Sequence, residues 1–300
     1  MKILPLLLIG ITITLLTITS CKKDRITPPE DPINEYNDLN NYLDTKKQTE
    51  QDFEILGPSN DTIVGNQGSR IYGGINCLQD ANGDTIDYPF TVHLVELYTP
   101  KDMIYWQMPT VASGNILETD GEIRIRATKN GQDLALSCPF TFEMPNATPD
   151  TNMTLFSGTD NGSFVNWANT GTSFVIENYS ANGFTYGYKG SISSFGWINA
   201  DLQVGNGSGN TLTFTSETDL LTNVGIFIYF PATKTVMQVY NETSNLIPNG
   251  SAVQVILMAQ DANGTIFSYT ETRTISSSAT IDVTLTETSD ASLTAYLDGL

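Results

Sequence analysis

An all-β fold of two sandwich-like domains with a short C-terminal helix is predicted by three features of the sequence. From Asp52 onward the apolar residues abandon any helical period and fall into short runs, such as Phe90 to Tyr98 and Ala252 to Ala259. Residues that tolerate positive φ break those runs: Asp80-Ala81-Asn82-Gly83, Asp120-Gly121, Lys129-Asn130-Gly131 and Asp261-Ala262-Asn263-Gly264. Charged residues make up only 16% of the chain, while Thr, Ser, Asn and Gly are abundant. Such a composition suits strands with hydroxylated outer faces, and the 40% hydrophobic content is enough for a core.

In chain order, residues 1–20 read as a signal peptide. Lys2 is followed by an apolar run from Ile3 to Leu16 and by Ile18-Thr19-Ser20 before Cys21, a stretch too short and wrongly flanked for a spanning helix. The ending Ile-Thr-Ser-Cys resembles the bacterial lipobox, which implies acylation of Cys21. Several acyl chains anchor a protein durably where one does so only marginally. Residues 21–51 are expected to form a tether, extended at Thr27-Pro28-Pro29-Glu30-Asp31-Pro32. Tyr36, Leu39, Tyr42 and Leu43 have helical spacing, but so short a helix is marginal in water unless it docks.

The first domain is assigned to 52–157 and the second to 162–300, separated at the polar, glycine-rich Ser157-Gly158-Thr159-Asp160-Asn161-Gly162. Within the first, Thr99-Pro100-Lys101-Asp102-Met103 carries a cap, a proline and an acid in helix-starting order, predicting a single turn. At the far end Ser289 or Asp290 can cap a helix whose Leu293, Leu297 and Leu300 share one face.

A net charge of -19 sets aside nucleic acid and anionic lipid as partners by repulsion. Of the three cysteines, Cys21 is assigned to lipid, leaving Cys77 and Cys138 either to pair as a disulfide or to stand as buried thiols. His93 is the single histidine, so a Cys/His metal site is not expected. It sits inside a strand pattern, and no Gly-x-Ser-x-Gly elbow accompanies it, so it reads as a structural residue. Carboxylates are plentiful but nothing selects a glycosidase-like pair.

Asp80, Asn82, Asp84 and Asp87 place oxygen ligands as a calcium loop does, without the bidentate glutamate that would complete it; a hairpin turn explains the same residues. Tyr105-Trp106 and Trp197 could stack on a sugar ring, Tyr105-Trp106 being the better exposed candidate in the loop after the predicted turn, but tryptophans of a sandwich more often pack in its core, and core packing is the favoured reading. No cofactor fingerprint is present, and no cofactor is expected.

Cys21-Lys22-Lys23-Asp24 and the following Pro-rich acidic stretch resemble the start of surface lipoproteins of the Bacteroidota. The segments Thr62 to Tyr72, Leu78 to Gly83, Phe90 to Tyr98 and Lys101-Asp102-Met103 resemble the first domain of a group of those lipoproteins. That domain is similar in turn to the β-sandwich module of ankyrins and netrin receptors, which mediates protein contacts. The module's Ile-Pro-Pro-Gly-Ala corner reads Tyr72-Gly73-Gly74-Ile75-Asn76 here, and Gly196-Trp197-Ile198-Asn199-Ala200-Asp201 resembles a Gly-Trp-Ile-Asn-Cys-Asp segment of the same lipoproteins. The resemblance implies an outer-membrane protein, lipid-anchored and facing the exterior. The function expected is a non-enzymatic interaction or structural module that contacts another envelope protein. The alternative is a carbohydrate-binding lipoprotein of nutrient uptake.

Overall fold

The computed structural model describes residues 33–58, 62–160, 165–177, 187–204 and 208–300. The predicted signal peptide and Cys21 lie outside them. In chain order the first strands are β1 (Gln51–Ile55), β2 (Thr62–Val64), β3 (Arg70–Tyr72), β4 (Leu78–Gln79), β5 (Phe90–Leu97), β6 (Val111–Ala112), β7 (Asn115–Lys129) and β8 (Gln132–Asp133). Then come β9 (Ala135–Leu136), β10 (Phe140–Pro145), β11 (Thr154–Asp160), β12 (Val165–Ser173), β13 (Val175–Glu177), β14 (Gly187–Ile192) and β15 (Gly196–Gln203). The remainder are β16 (Leu212–Thr215), β17 (Gly225–Phe230), β18 (Thr235–Val239), β19 (Ala252–Gln260), β20 (Ile266–Thr274), β21 (Ala279–Asp282) and β22 (Thr286–Thr288). Helices α1 (Asn40–Lys46), α2 (Pro100–Trp106) and α3 (Asp290–Asp298) complete the described elements.

The fold is all-β, as predicted. One sheet runs β1-β5-β7-β15-β11-β12 and faces a second, β13-β14-β10-β3-β2, across a core that includes Val92, Leu94, Ile125, Phe140, Phe142 and Tyr188. A third sheet, β18-β17-β19-β20-β22, faces the parallel pair β16-β21 across Ile228, Val255, Leu257, Phe214 and Ile281. Cys77 and Cys138 are joined as a disulfide with their Cα atoms 4.7 Å apart, beside the short β4-β9 pair. Closing a loop of 61 residues is worth about 4 kcal/mol by the chain-entropy argument.

The domain boundary requires correction. Ser157 to Asp160 is not a linker: it belongs to β11, which is hydrogen-bonded to β15 on one side and β12 on the other. Gly158 is there because a side chain would not fit, since a Cβ would stand 2.8 Å from Trp197 Cβ and 2.9 Å from Trp167 Cζ3. The first sandwich therefore continues through β15, and the second begins near β16.

The two sandwiches are not strung on a linker either. Ile33 to Leu300 forms one compact unit. The outer faces of the β5-β7-β15 and β17-β19 sheets share an apolar layer with the three helices, built from Leu43, Leu97, Ile104, Trp167, Phe227, Ile256 and Leu297 among others. Strands buried on both faces lose the alternating pattern, which is why β19 reads as a continuous apolar run. Each buried side chain of this kind contributes roughly 1.5–3 kcal/mol, so exposing only Leu43, Ile104, Phe227 and Leu297 would cost on the order of 6–12 kcal/mol. That is comparable to the stability of a whole domain.

The tether also ends earlier than predicted. Asn34 bridges to Asp219 in the second sandwich, Tyr36 is buried there, α1 docks through Tyr42 and Leu43, and β1 pairs with β5 of the first sandwich. The marginal helix is stabilised because it found a surface. α3 forms as predicted, with the Ser289 hydroxyl accepting from the Ser292 N–H and with Leu293 and Leu297 buried.

Candidate functional site

The β1-β5-β7 face carries His93, the histidine that sequence reading singled out, among polar residues that it did not. His93 pairs in register with Asp52 on β1 and Arg126 on β7. Its Nδ1 lies 2.6 Å from Asp52 Oδ1 and its Nε2 2.9 Å from Thr128 Oγ1, so both ring nitrogens are occupied. Hydroxyl, imidazole and carboxylate stand in the order of a hydrolase triad. The ring is 8% exposed, however, and neither His93 nor Thr128 lines either of the cavities described below. Ligand atoms of Glu50, Asp52 and His93 also converge within 4.8 Å. Glu50 is already held by Arg124 (3.0 Å) and Arg126 (2.5 Å). Burial would raise the Glu50 carboxyl, but the Arg126 hydrogen bonds and the Arg124 charge outweigh it and hold it below the usual range. Two guanidinium groups repel a metal cation, and the trio reads as a salt-bridge network.

The aromatic residues follow the favoured reading, core packing, and the stacking-platform alternative falls. Tyr105 is buried, and Trp106 lies within α2, which runs for seven residues rather than one turn because Thr99 caps Asp102 N–H and the apolar Met103, Ile104 and Tyr105 pack inward. Trp197 is buried as well, edge-on to Trp106 at 5.8 Å, with the Arg124 guanidinium 5.3 Å and 5.2 Å from the two ring centres. These rings stack on an arginine, not on a ligand.

The calcium candidate resolves into a turn. Asp80 Oδ1 accepts the N–H groups of Asn82 and Asp84 at 2.8 and 3.0 Å, and Asp261 Oδ1 does the same for Asn263 and Thr265 at 2.9 and 2.8 Å. Those backbone hydrogen bonds pull the Asp80 carboxyl below its ordinary range. Asp80, Asp84 and Asp87 are not among the acidic groups that converge in the described residues.

What sequence reading missed is a cleft of about 680 Å³ at the foot of β15. β15 pairs with β7 only as far as Gly196–Ile125, and with β11 only as far as Trp197–Gly158, so the sheet opens there. The turn from β14 to β15 crosses from one sheet to the other and floors the opening. Hydroxyls dominate its rim: Ser157, Thr159, Thr172, Ser191, Ser193 and Ser194, with Arg126 on the β7 wall. No signal in the sequence marks these residues, because serine and threonine are common throughout. A second groove, of about 520 Å³, lies between the β6 hairpin and the end of β18. Half-exposed Tyr240 stands there among Asn166, Gln238, Asn241 and Asn245.

Comparisons with protein-family models, with curated proteins and with solved structures find no match. The site must therefore be read from its own chemistry. A hydroxyl-rich cleft flanked by two guanidinium groups, Arg124 and Arg126, and by the carboxylates of Asp133 and Asp160 offers many donors and acceptors, which suits recognition of a polar surface or an extended chain.

Proposed function

We propose that this chain is a lipid-anchored protein of the outer membrane, acylated on Cys21 and facing the exterior, that serves as a non-catalytic interaction module for another envelope protein. The cleft at the foot of β15 carries the reading. It is the larger of the two cavities, it lies where a sheet is left open between β7 and β11, and its rim is built of short hydroxylated side chains that lose little entropy on contact. The likeness of the amino-terminal residues to Bacteroidota surface lipoproteins supports the placement. The rigid pair of sandwiches supports a role in presenting a surface at a fixed angle.

A pull-down of the tagged protein from intact cells tests this, with mass spectrometry of the mature amino terminus alongside. The expected result is an acylated Cys21 and a retained envelope protein whose recovery falls about tenfold when Ser194→Trp fills the cleft, equivalent to about 1.4 kcal/mol. An unacylated terminus, or recovery indifferent to that substitution, overturns the proposal. A second reading, carbohydrate binding, is favoured by the other groove, where an aromatic ring, Tyr240, and four amide side chains line one cavity. A glycan-array signal lost on Tyr240→Ala would put that reading first.

A further inference from the structure

We propose that Glu122, Asp201, Asn199 and Thr119 form a buried site for an oxygen-seeking divalent cation of the calcium kind, at the junction of the two sandwiches. Asn199 and Asp201 point from the same face of β15. Across the ladder on β7 their register partners are Glu122 and Thr119, so the four side chains make a square. All four are essentially inaccessible: Glu122, Asn199 and Asp201 are 0% exposed and Thr119 is 1%. Leu97, Leu117 and Phe156 of the shared apolar layer belong to the same inward region, and Thr119 N–H is bonded to the Thr233 carbonyl of the second sandwich.

Within the square, Thr119 donates to Asn199 Oδ1 at 2.9 Å and Asn199 Nδ2 donates to Glu122 Oε1 at 3.3 Å. Thr119 has a single hydroxyl hydrogen, and it is directed to Asn199 although Asp201 lies beside it. Glu122 Oε2 and both oxygens of Asp201 have no hydrogen-bond partner. Nor does a cationic side chain serve them. Lys234 extends to Asp120 at 2.7 Å, and Arg124, farther along β7, is engaged by Glu50. Asp120, on the same stretch of β7, is acidic and adds to the negative field at Asp201.

An isolated carboxylate in such surroundings costs several kcal/mol, and two of them side by side cost more. The other buried carboxylates are supplied with donors, so the deficit is local. Glu96 accepts from Gln51 Nε2 and from the N–H groups of Gln67 and Ser69, all at 2.9 Å, and Asp219 is surrounded by donors. Two carboxylates, an amide oxygen and a hydroxyl present up to six oxygens with a charge of minus two. That is the ligand type, number and charge that Ca²⁺ takes, whereas Zn²⁺ favours nitrogen or sulfur and Mg²⁺ keeps water that this closed site has little room to admit. Burial pushes both carboxyls well above their usual range, which agrees with a missing counter-charge.

The test uses the full mature chain, refolded from denaturant in EDTA or in about 1 mM Ca²⁺ so that a closed site can load. The melting temperature is expected to rise by about 5 °C with Ca²⁺ and much less with Mg²⁺, and native mass spectrometry to find one calcium per chain. The double variant Glu122→Gln/Asp201→Asn keeps the shape and removes the charge; it is expected to melt no lower than the EDTA form and to ignore Ca²⁺. Asp80→Asn, in the hairpin, should leave the response intact. If the double variant fails to fold, Asp201→Asn alone is expected to lose the bound calcium. A native protein whose melting temperature ignores Ca²⁺ but rises with acid would show protons neutralising the pair and overturn the assignment, as would a calcium response that survives in the double variant.

Discussion

Two buried aspartates, one in each sandwich, meet the same physical demand in opposite ways. Asp219 is 3% exposed and accepts from Tyr36 Oη at 2.6 Å, Thr218 Oγ1 at 2.9 Å, Asn34 Nδ2 at 3.1 Å, Leu285 N–H at 3.1 Å and Ser216 Oγ at 3.2 Å. Asp201 is 0% exposed, and the one donor beside it, the Thr119 hydroxyl, is directed to Asn199. Burial acts on both. At Asp219 the donors overcome it and hold the carboxyl below its ordinary range; at Asp201 it prevails and the carboxyl is driven well above. The chain can thus satisfy a buried carboxylate with neutral groups alone, and at Asp201 it has not done so. The donors to Asp219 come from the amino-terminal segment as well as from the sandwich, so this carboxylate also pins that segment to the second sandwich.

The largest effect is expected at Asp219. Replacing it with Ala strands several donors at once, and urea denaturation should show a loss of about 3 kcal/mol. The pH dependence comes next, with opposite signs at the two sites. A lowered folded value at Asp219 gives stability that is present above the ordinary aspartate range near 4 and lost as pH falls through the folded value. The raised values of Glu122 and Asp201 give the cation-free protein stability that is fully present below the ordinary carboxyl range and lost as pH rises through the raised folded values. Each titrating group contributes a slope of at most about 1.4 kcal/mol per pH unit. Subtracting the Glu122→Gln/Asp201→Asn curve from the native curve in EDTA should isolate the second sign.

Tyr36→Phe removes one hydrogen bond to a charged acceptor, an expected loss of about 1.5 kcal/mol with faster proteolysis ahead of α1. Asp201→Asn in EDTA is expected to do the reverse, a gain of about 1 kcal/mol at neutral pH, because it removes a buried charge and keeps the volume. A loss there of the size seen at Asp219 would erase the contrast.

Much of the fold was legible because local chemistry decides it. The two Asp-Ala-Asn-Gly turns, the Phe90 to Leu97 strand and the Ser289 cap all follow from neighbours in sequence. What could not be read depends on distant residues. Gly158 suggested a linker because its partners, Trp167 and Trp197, lie on other strands. The partners of Trp106 could not be named because Arg124 and Trp197 reach it only after the sheet is built. The acidic square depends on a register shift between β7 and β15 that brings Thr119 opposite Asp201. The cleft depends on where β15 begins, which no residue type announces.

The role assigned to the chain rests on that cleft meeting a partner. Photo-crosslinkers placed at Ser194 on its rim and at Thr272, exposed on β20 of the second sandwich, would test this in intact cells. The expected result is one defined adduct with an envelope protein from Ser194 and none from Thr272. Equal labelling from both positions, or no adduct from Ser194, would contradict it.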